Sequence, residues 1–459
     1  MEDHIQINDL QFNYQTEQPI LDIPQLTIPL HQLTIFYGRS GSGKSTLLKI
    51  LAGLLPKYGG HLTGNFVIPE HAIPAMMFQD PGAQFALDTP RHEIEFALEN
   101  IQTAPQDIPD KVNQALREAG IMDLADRQFI TLSGGEQQRA TLAVIIAMQR
   151  QIILLDEPFA SLDAHNRQLI LNQLIKMQKT GKTIIIADHD LSAYGDLNPT
   201  IIDFNDGVRR LSHAQQQSLL QQATVPITID TPLPPDAAAV ALKVQNFNLY
   251  RQKQLLIQQS SLKIFKNKTT LLTGTSGSGK SSFFKAIAGL IPSTGSVQIF
   301  NKDLAAYSRN RIGQTLGLVF QNANDQFLNI TVGEELALSV KNGHHPYFTT
   351  ERLQHTLQEL QFDHLTDHVV YSLSGGQKKK LQLLVMLMMG QQLLLLDEPF
   401  SGLDRHSITQ VVQLIQRCQQ VLPQTILIIS HQLMGILPLI DYHLCLTNHQ
   451  LIYQGAEAS

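Results

Sequence analysis

GRSGSGKST at residues 38–46 returns, one domain's length later, as GTSGSGKSS at residues 274–282. Each copy follows a short apolar run, residues 33–37 or 270–273, and opens a helical stretch, residues 45–55 or 281–291. The pattern GxxxxGK[ST] needs each of its parts. Its glycines let backbone N–H groups turn inward around phosphate oxygens. The helix that follows aims its positive end at the same anion. The candidate phosphate-binding residues are Gly38, Arg39, Ser40, Gly41, Ser42, Gly43, Lys44, Ser45 and Thr46 in the first copy. In the second they are Gly274, Thr275, Ser276, Gly277, Ser278, Gly279, Lys280, Ser281 and Ser282. Lys44 and Lys280 would reach the terminal phosphates, and Ser45 and Ser281 would place a hydroxyl on Mg²⁺. One such loop could be a chance run of turn-forming Gly and Ser. Two, each between a strand and a helix, argue for nucleotide binding.

The repetition extends outward from these loops. LSGGEQQ at 132–138 returns as LSGGQKK at 373–379, and ILLDEPFASLD at 153–163 as LLLDEPFSGLD at 394–404. Phe78-Gln79 matches Phe320-Gln321, and an apolar strand ending at His189 matches one ending at His431. The offset stays within 236–242 residues, so whole domains are duplicated, not solenoid repeats. The expected division is a first domain over 1–211, a linker over 212–239 and a second domain over 240–459. The linker is rich in Gln and Pro, which suits an extended chain reaching at most roughly 90 Å. The apolar runs at 152–155, 184–187, 393–396 and 426–429 read as strands buried on both faces. This predicts an α/β fold with a mainly parallel sheet flanked by helices. Residues 91–126 and 331–367 read as small helical subdomains.

Bulk properties narrow the class. A net charge of −6, with no long basic stretch, argues against nucleic acid as the main partner. The two cysteines, Cys418 and Cys445, form no CxxC and suggest free thiols in a reducing compartment. The opening MEDHIQINDL lacks the apolar core of a secretory leader, and no apolar run is long enough to span a bilayer. Membrane association is therefore expected only through a partner.

Asp156 and Asp397 each end a buried apolar strand, where a carboxylate is costly unless a cation or donors meet it. Mg²⁺ would do so through its water shell. Glu157 and Glu398 come next and could orient a water and accept its proton during attack on the γ-phosphate. A capped or salt-bridged strand end is the plainer reading of a single Asp-Glu pair. His189 and His431 end the next strand, at the sheet edge where such folds place ligands, and are read as γ-phosphate contacts. Gln79 and Gln321 could sense Mg²⁺ or the attacking water. Tyr14 and Tyr250 each precede the loop lysine by thirty residues. They could stack on adenine, or simply pack on the core. Ser133, Gly134 and Gly135, like Ser374, Gly375 and Gly376, open a second helix and form another anion cradle. Two phosphate loops and two spare cradles suggest head-to-tail pairing, with each nucleotide between one copy's loop and the other copy's cradle.

Together these residues resemble the ATP-binding cassette (ABC) ATPase family, over nearly the whole chain except the linker and termini. The resemblance implies two tandem P-loop ABC ATPase domains, each a RecA-like core with an antiparallel β subdomain and a helical subdomain. It implies ATP and Mg²⁺ as cofactors and Glu157, Glu398, His189 and His431 as catalytic. Mg²⁺ would be held by Ser45, Gln79 and Asp156, and by Ser281, Gln321 and Asp397. Gln79 and Gln321 match the family's Q-loops, the LSGG stretches its signature helices, and Asp163 and Asp404 its D-loops. The sequences after the two Q-loop glutamines look like the energy-coupling-factor (ECF) subgroup, which powers uptake of vitamins and transition-metal ions. Some members of that subgroup fuse both ATPases, including ones linked to hydroxymethylpyrimidine or thiamine. The partners so implied are a transmembrane coupling subunit and a substrate-binding membrane subunit. The location implied is peripheral, on the cytoplasmic face of the cell membrane. FALEN at 96–100, where the subgroup has FGxEN, and Asn322 to Asn324, in place of NPD, depart from the pattern and bear on partner docking. The alternatives are a soluble double-cassette ATPase acting on ribosomes, a sugar-importer ATPase, and a nucleotide-binding regulator without turnover.

Overall fold

Burial alternates along the first strand: Ile5, Ile7, Leu10 and Phe12 are buried while the residues between them are not. That pattern makes a sheet with one packed face. The computed structural model describes residues 4–14, 19–69, 72–159, 162, 164–224, 228–235 and 237–455. They fall into two units, Met1–Pro226 and Ile227–Ser459.

Unit 1 begins with β1 (His4–Asn13), β2 (Leu21–Pro29), β3 (Leu33–Tyr37), α1 (Lys44–Leu51), β4 (His61–Val67) and β5 (Pro74–Met77). Next come α2 (Pro90–Asn100), α3 (Ile108–Glu118), α4 (Gly134–Met148), β6 (Ile152–Asp156), α5 (Ala164–Lys179) and β7 (Thr183–Asp188). It closes with β8 (Thr200–Asp203), β9 (Arg209–Arg210) and α6 (His213–Ala223). The antiparallel sheet has the order β2-β1-β4, and the six-stranded sheet β5-β6-β7-β3-β8-β9. Within the latter only β9 runs antiparallel to its neighbour.

Unit 2 repeats the plan. It comprises β10 (Val240–Arg251), β11 (Gln254–Phe265), β12 (Thr269–Gly274), α7 (Lys280–Ile287), β13 (Thr294–Ile299), β14 (Lys302–Asp303), α8 (Arg309–Thr315) and β15 (Leu316–Val319). Then follow α9 (Val332–Asn342), α10 (Thr350–Glu359), α11 (Gly375–Met389), β16 (Leu393–Asp397), α12 (Arg405–Val421), β17 (Thr425–Ile429), β18 (Tyr442–Thr447) and β19 (Gln450–Gln454). Its sheets are β11-β10-β13-β14 and β15-β16-β17-β12-β18-β19. The added β14 and α8 absorb the longer stretch between phosphate loop and Q-loop in this copy.

The central strands read as continuous apolar runs because both faces are covered. In unit 2, Leu394, Leu396, Ile426 and Ile428 join one core, while Leu393, Leu395, Leu427 and Ile429 join the core on the opposite face. Unit 1 splits likewise, with Leu154 and Ile185 on one side and Ile153 and Ile186 on the other. A satellite core of Ile94, Leu98, Val112, Leu116 and Phe129 holds α2 and α3 against α4. This is the helical subdomain expected from 91–126.

The stretch expected as an extended linker is not extended throughout. Ser212 caps α6, its hydroxyl accepting from Gln215 N while Gln215 Oε1 accepts from Ser212 N. Leu220 is buried in the core of unit 1. The Gln-rich half is thus a helix, as glutamine's propensity allows. Thr231, in the Pro-rich half, is buried in unit 2, where its hydroxyl donates to Gln454 O.

Candidate functional site

Both phosphate loops join the C-terminal end of a central strand to the start of a helix, β3 to α1 and β12 to α7. Gly43 and Gly279 stand at φ 93° and 108°. A Cβ on Gly43 would lie 2.5 Å from the Leu21 side chain. Only glycine meets both demands. Inside each loop the lysine is folded onto main-chain carbonyls. Lys44 Nζ donates to Gly38 O at 2.8 Å and Arg39 O at 2.7 Å. Lys280 Nζ donates to Gly274 O at 2.8 Å and Thr275 O at 2.9 Å. Each loop therefore holds a buried ammonium against its own carbonyls.

The carboxylates meet this loop. Ser45 Oγ donates to Asp156 Oδ1 at 2.8 Å. Burial and the neighbouring Glu157 push Asp156 up to about 6. Burial likewise raises Asp397, which is hydrogen-bonded to Ser281 and keeps Oδ1 buried without a partner. A hydroxyl beside a costly buried carboxylate fits a hard divalent cation with oxygen ligands. Among the described residues no group of three or more His, Cys, Asp or Glu could hold a metal.

Glu157 and Glu398 follow at φ 46° and 48°, a region costing a bulky residue on the order of 1–3 kcal/mol. Each is held there by its own N–H, donating to Ala187 O and to Ile429 O at 2.9 Å. In unit 1, Gln79 Nε2 donates to Glu157 Oε2 at 2.8 Å, and His189 Nδ1 lies 3.3 Å from Glu157 Oε1. Burial opposes the imidazolium, but Glu157 and Asp188 outweigh it and hold His189 at about 9. In unit 2, His431 N donates to Glu398 Oε2 at 3.3 Å and His431 Nε2 lies 3.6 Å from Oε1. Burial, then Asp397, raises Glu398 to about 8. Gln, Glu, His, Asp and the phosphate-loop Ser and Lys are thus gathered at one sheet edge in unit 1. In unit 2 the same edge gathers Ser281, Asp397, Glu398 and His431.

The remaining candidates lie further out. Tyr14 packs edge-on against Phe12, with its hydroxyl 3.4 Å from Thr46 Oγ1, beside the phosphate loop. Tyr250 is half exposed near the end of β10. Ser133 and Ser374 cap α4 and α11 in full capping boxes with Glu136 and Gln377. Gly134 is exposed, and a Cβ built on it would touch nothing within 4 Å. The start of α4 at Gly134 is therefore sterically open. Asp404 caps α12, accepting from Ser407 N at 2.7 Å, whereas Asp163 lies outside the described residues.

Some contributors were not read from the sequence. Glu93 and Glu335 are buried and accept from the N–H groups of Ala86 and Leu87, and of Leu328 and Asn329. They tie each Q-loop to the helix after it. Asp188 accepts from His189 N and from Tyr194 Oη, both at 2.7 Å, and so aims the loop that carries His189. Their only signal was an acidic residue within a helix or strand, and their partners are largely main chain.

The sequence profile of the family described as ABC transporter matches residues 21–160 and 257–401, more than half of the chain. The chain belongs to the ABC transporter family. Both copies carry the family's ATP-binding unit, and the chain is an ATPase. A relative from Bacillus subtilis, provisionally named HMP/thiamine import ATP-binding protein YkoD, is 28% identical over 98% of this chain and 91% of its own length. One from Treponema denticola, provisionally named ABC transporter ATP-binding protein, is 28% identical over 94% of this chain and 92% of its own. Among solved structures, ribosome-bound archaeal Pelota and ABCE1 includes a chain with TM-score 0.70 at 17% identity, covering 93% of this chain and 75% of that one. RNase-L Inhibitor gives 0.62 at 19%, covering 93% and 86%. At these identities the likeness speaks to the tandem ABC fold alone.

Proposed function

We propose that this chain is the energy-coupling component of an ECF-type importer, with both ATPase units in one polypeptide. The observation that carries the ATPase part is the completeness of two sites. Each has a buried loop lysine, a Ser-Asp pair, a glutamate held at positive φ and a histidine within 3.6 Å of it. The importer part is supported by the Q-loop sequences and by the import relative aligned over 98% of the chain. The substrate class so indicated is a vitamin, its pyrimidine precursor, or a metal ion.

Lys44 and Lys280 would leave their carbonyls for the β- and γ-phosphates. Mg²⁺, held by Ser45, Gln79 and Asp156 or by Ser281, Gln321 and Asp397, would neutralise phosphate charge during transfer. Glu157 and Glu398 would orient the attacking water and take its proton, and His189 and His431 would donate to the γ-phosphate. Ser133, Gly134 and Gly135 would close over the nucleotide of unit 2, and Ser374, Gly375 and Gly376 over that of unit 1. Tyr14 and Tyr250 would stack on adenine. Closure on ATP and opening after hydrolysis would move the helical subdomains through the Q-loops. Coupling helices of the membrane subunit would dock beside them, on the cytoplasmic face. None of the described helices is long and apolar enough to cross a membrane, so transport would need that partner.

The test is affinity purification of the full chain from detergent-solubilised membranes. The expected result is co-purification of a transmembrane coupling subunit and a small substrate-binding membrane protein, with substrate-dependent ATP hydrolysis. Recovery of ribosomes in their place would overturn the importer reading.

A further inference from the structure

The two signature helices differ at several buried positions, and two of the differences reach the Q-loop. Position 138 in α4 is Gln, and the matching position 379 in α11 is Lys. Both are nearly inaccessible, at 4% and 6% exposed. Gln138 leaves its Oε1 without a hydrogen-bond partner. Lys379 Nζ donates to Gln321 O at 2.6 Å and Phe320 O at 3.4 Å. One turn on, Gln382 Nε2 donates to Phe320 O at 2.9 Å and to Gln326 Oε1 at 3.3 Å. Gln326 Oε1 in turn accepts from Phe320 N at 3.2 Å. In unit 1 the residue matching Gln382 is Thr141, whose hydroxyl turns back to Gln137 O within its own helix. Among the described residues no hydrogen bond joins α4 to the carbonyls of Phe78 or Gln79.

A lone buried ammonium is costly, so a lysine here must meet acceptors or charge. Lys379 has two carbonyls within reach, while burial, only partly offset by Asp397 and Glu398, lowers it to about 8. The two Q-loops are consequently fastened by different bonds. That of unit 1 is held by the Gln79 side chain on Glu157, the carboxylate that must turn to water in catalysis. That of unit 2 is held by its backbone, from the signature helix.

We propose that Lys379 is a positioning residue that ties the start of the second Q-loop to its own signature helix and presents Gln321 to the second nucleotide site in a fixed place. The two ATPase sites are then unequal. The first must break a Gln79–Glu157 bond to accept Mg-ATP, and the second is set beforehand. This inference rests on the ATPase reading above.

Hydrogen exchange on the full chain tests the tether itself. Lys379→Gln installs the residue that unit 1 carries at this position, so the change suits the fold. Lys379→Met keeps the length and removes the donor. Both are expected to speed exchange across residues 319–327 at least about tenfold, as loss of a charge-assisted bond allows. Residues 77–85 should be unchanged. In steady-state assays both variants should raise KM for Mg-ATP by a larger factor than they lower kcat. Unchanged exchange over 319–327 in both variants would overturn the proposal, as would equal factors in KM and kcat. An inactive parent protein would refute the ATPase reading and leave the exchange result to judge the tether.

Discussion

The second residue of each Asp-Glu pair carries the most consequence. Glu157 and Glu398 share a strained main-chain angle, a bond to the next strand and a histidine neighbour. Replacing either by Gln keeps the shape and removes the proposed base. Each single variant is expected to lower steady-state ATP turnover, by about half if the sites work independently and by about a hundredfold if they fire together. A variant that turns over at the parental rate would show that its site does not hydrolyse. The cysteines give a separate check. Cys418 is buried and its thiol is pushed up to about 12 by that burial. A thiol is protonated below its pKa and the thiolate is the nucleophile, so Cys418 stays inert at pH 8. Thiol titration of the native protein should leave it unlabelled, and denaturant should release it.

At the scale of elements, the central strands were legible because burial on both faces leaves no polar alternation to misread. The phosphate loops were legible because glycine spacing and a helix start coincide. The helix α6 was not. Its glutamines and the prolines after it were read as one extended linker, yet a Ser212 cap and Leu220 suffice to fix a helix on unit 1. Leu220→Ala should lower stability by about 2–4 kcal/mol if α6 is part of that unit. A denaturation midpoint equal to the parent's would mean that α6 is dispensable to unit 1. The fastening of the Q-loops was also illegible. Glu93, Glu335 and Lys379 act on main-chain groups, and no residue pattern announces such partners. The capping Ser374 was read as an anion cradle, and the structure adds a role within its own helix. Ser374→Ala should cost unit 2 about 1 kcal/mol by chemical denaturation.

At the scale of the whole molecule, the chain is a duplication of one ATP-binding unit. Each unit has a phosphate loop and a signature helix opened by Ser-Gly-Gly. Under the proposed function, ATP would join the loop of one unit to the signature helix of the other, and its hydrolysis would release them. The measurement that addresses this most directly is nucleotide-dependent disulfide trapping in a chain carrying Glu157→Gln and Glu398→Gln, with Cys445→Ser to remove the more accessible native thiol. Cysteines would be placed by Ser40→Cys and Gly375→Cys, where bridging requires Cα atoms within about 7 Å. The account predicts rapid cross-linking with Mg-ATP and little with ADP or without nucleotide. No ATP-dependent cross-link, either within one chain or between two, would contradict it.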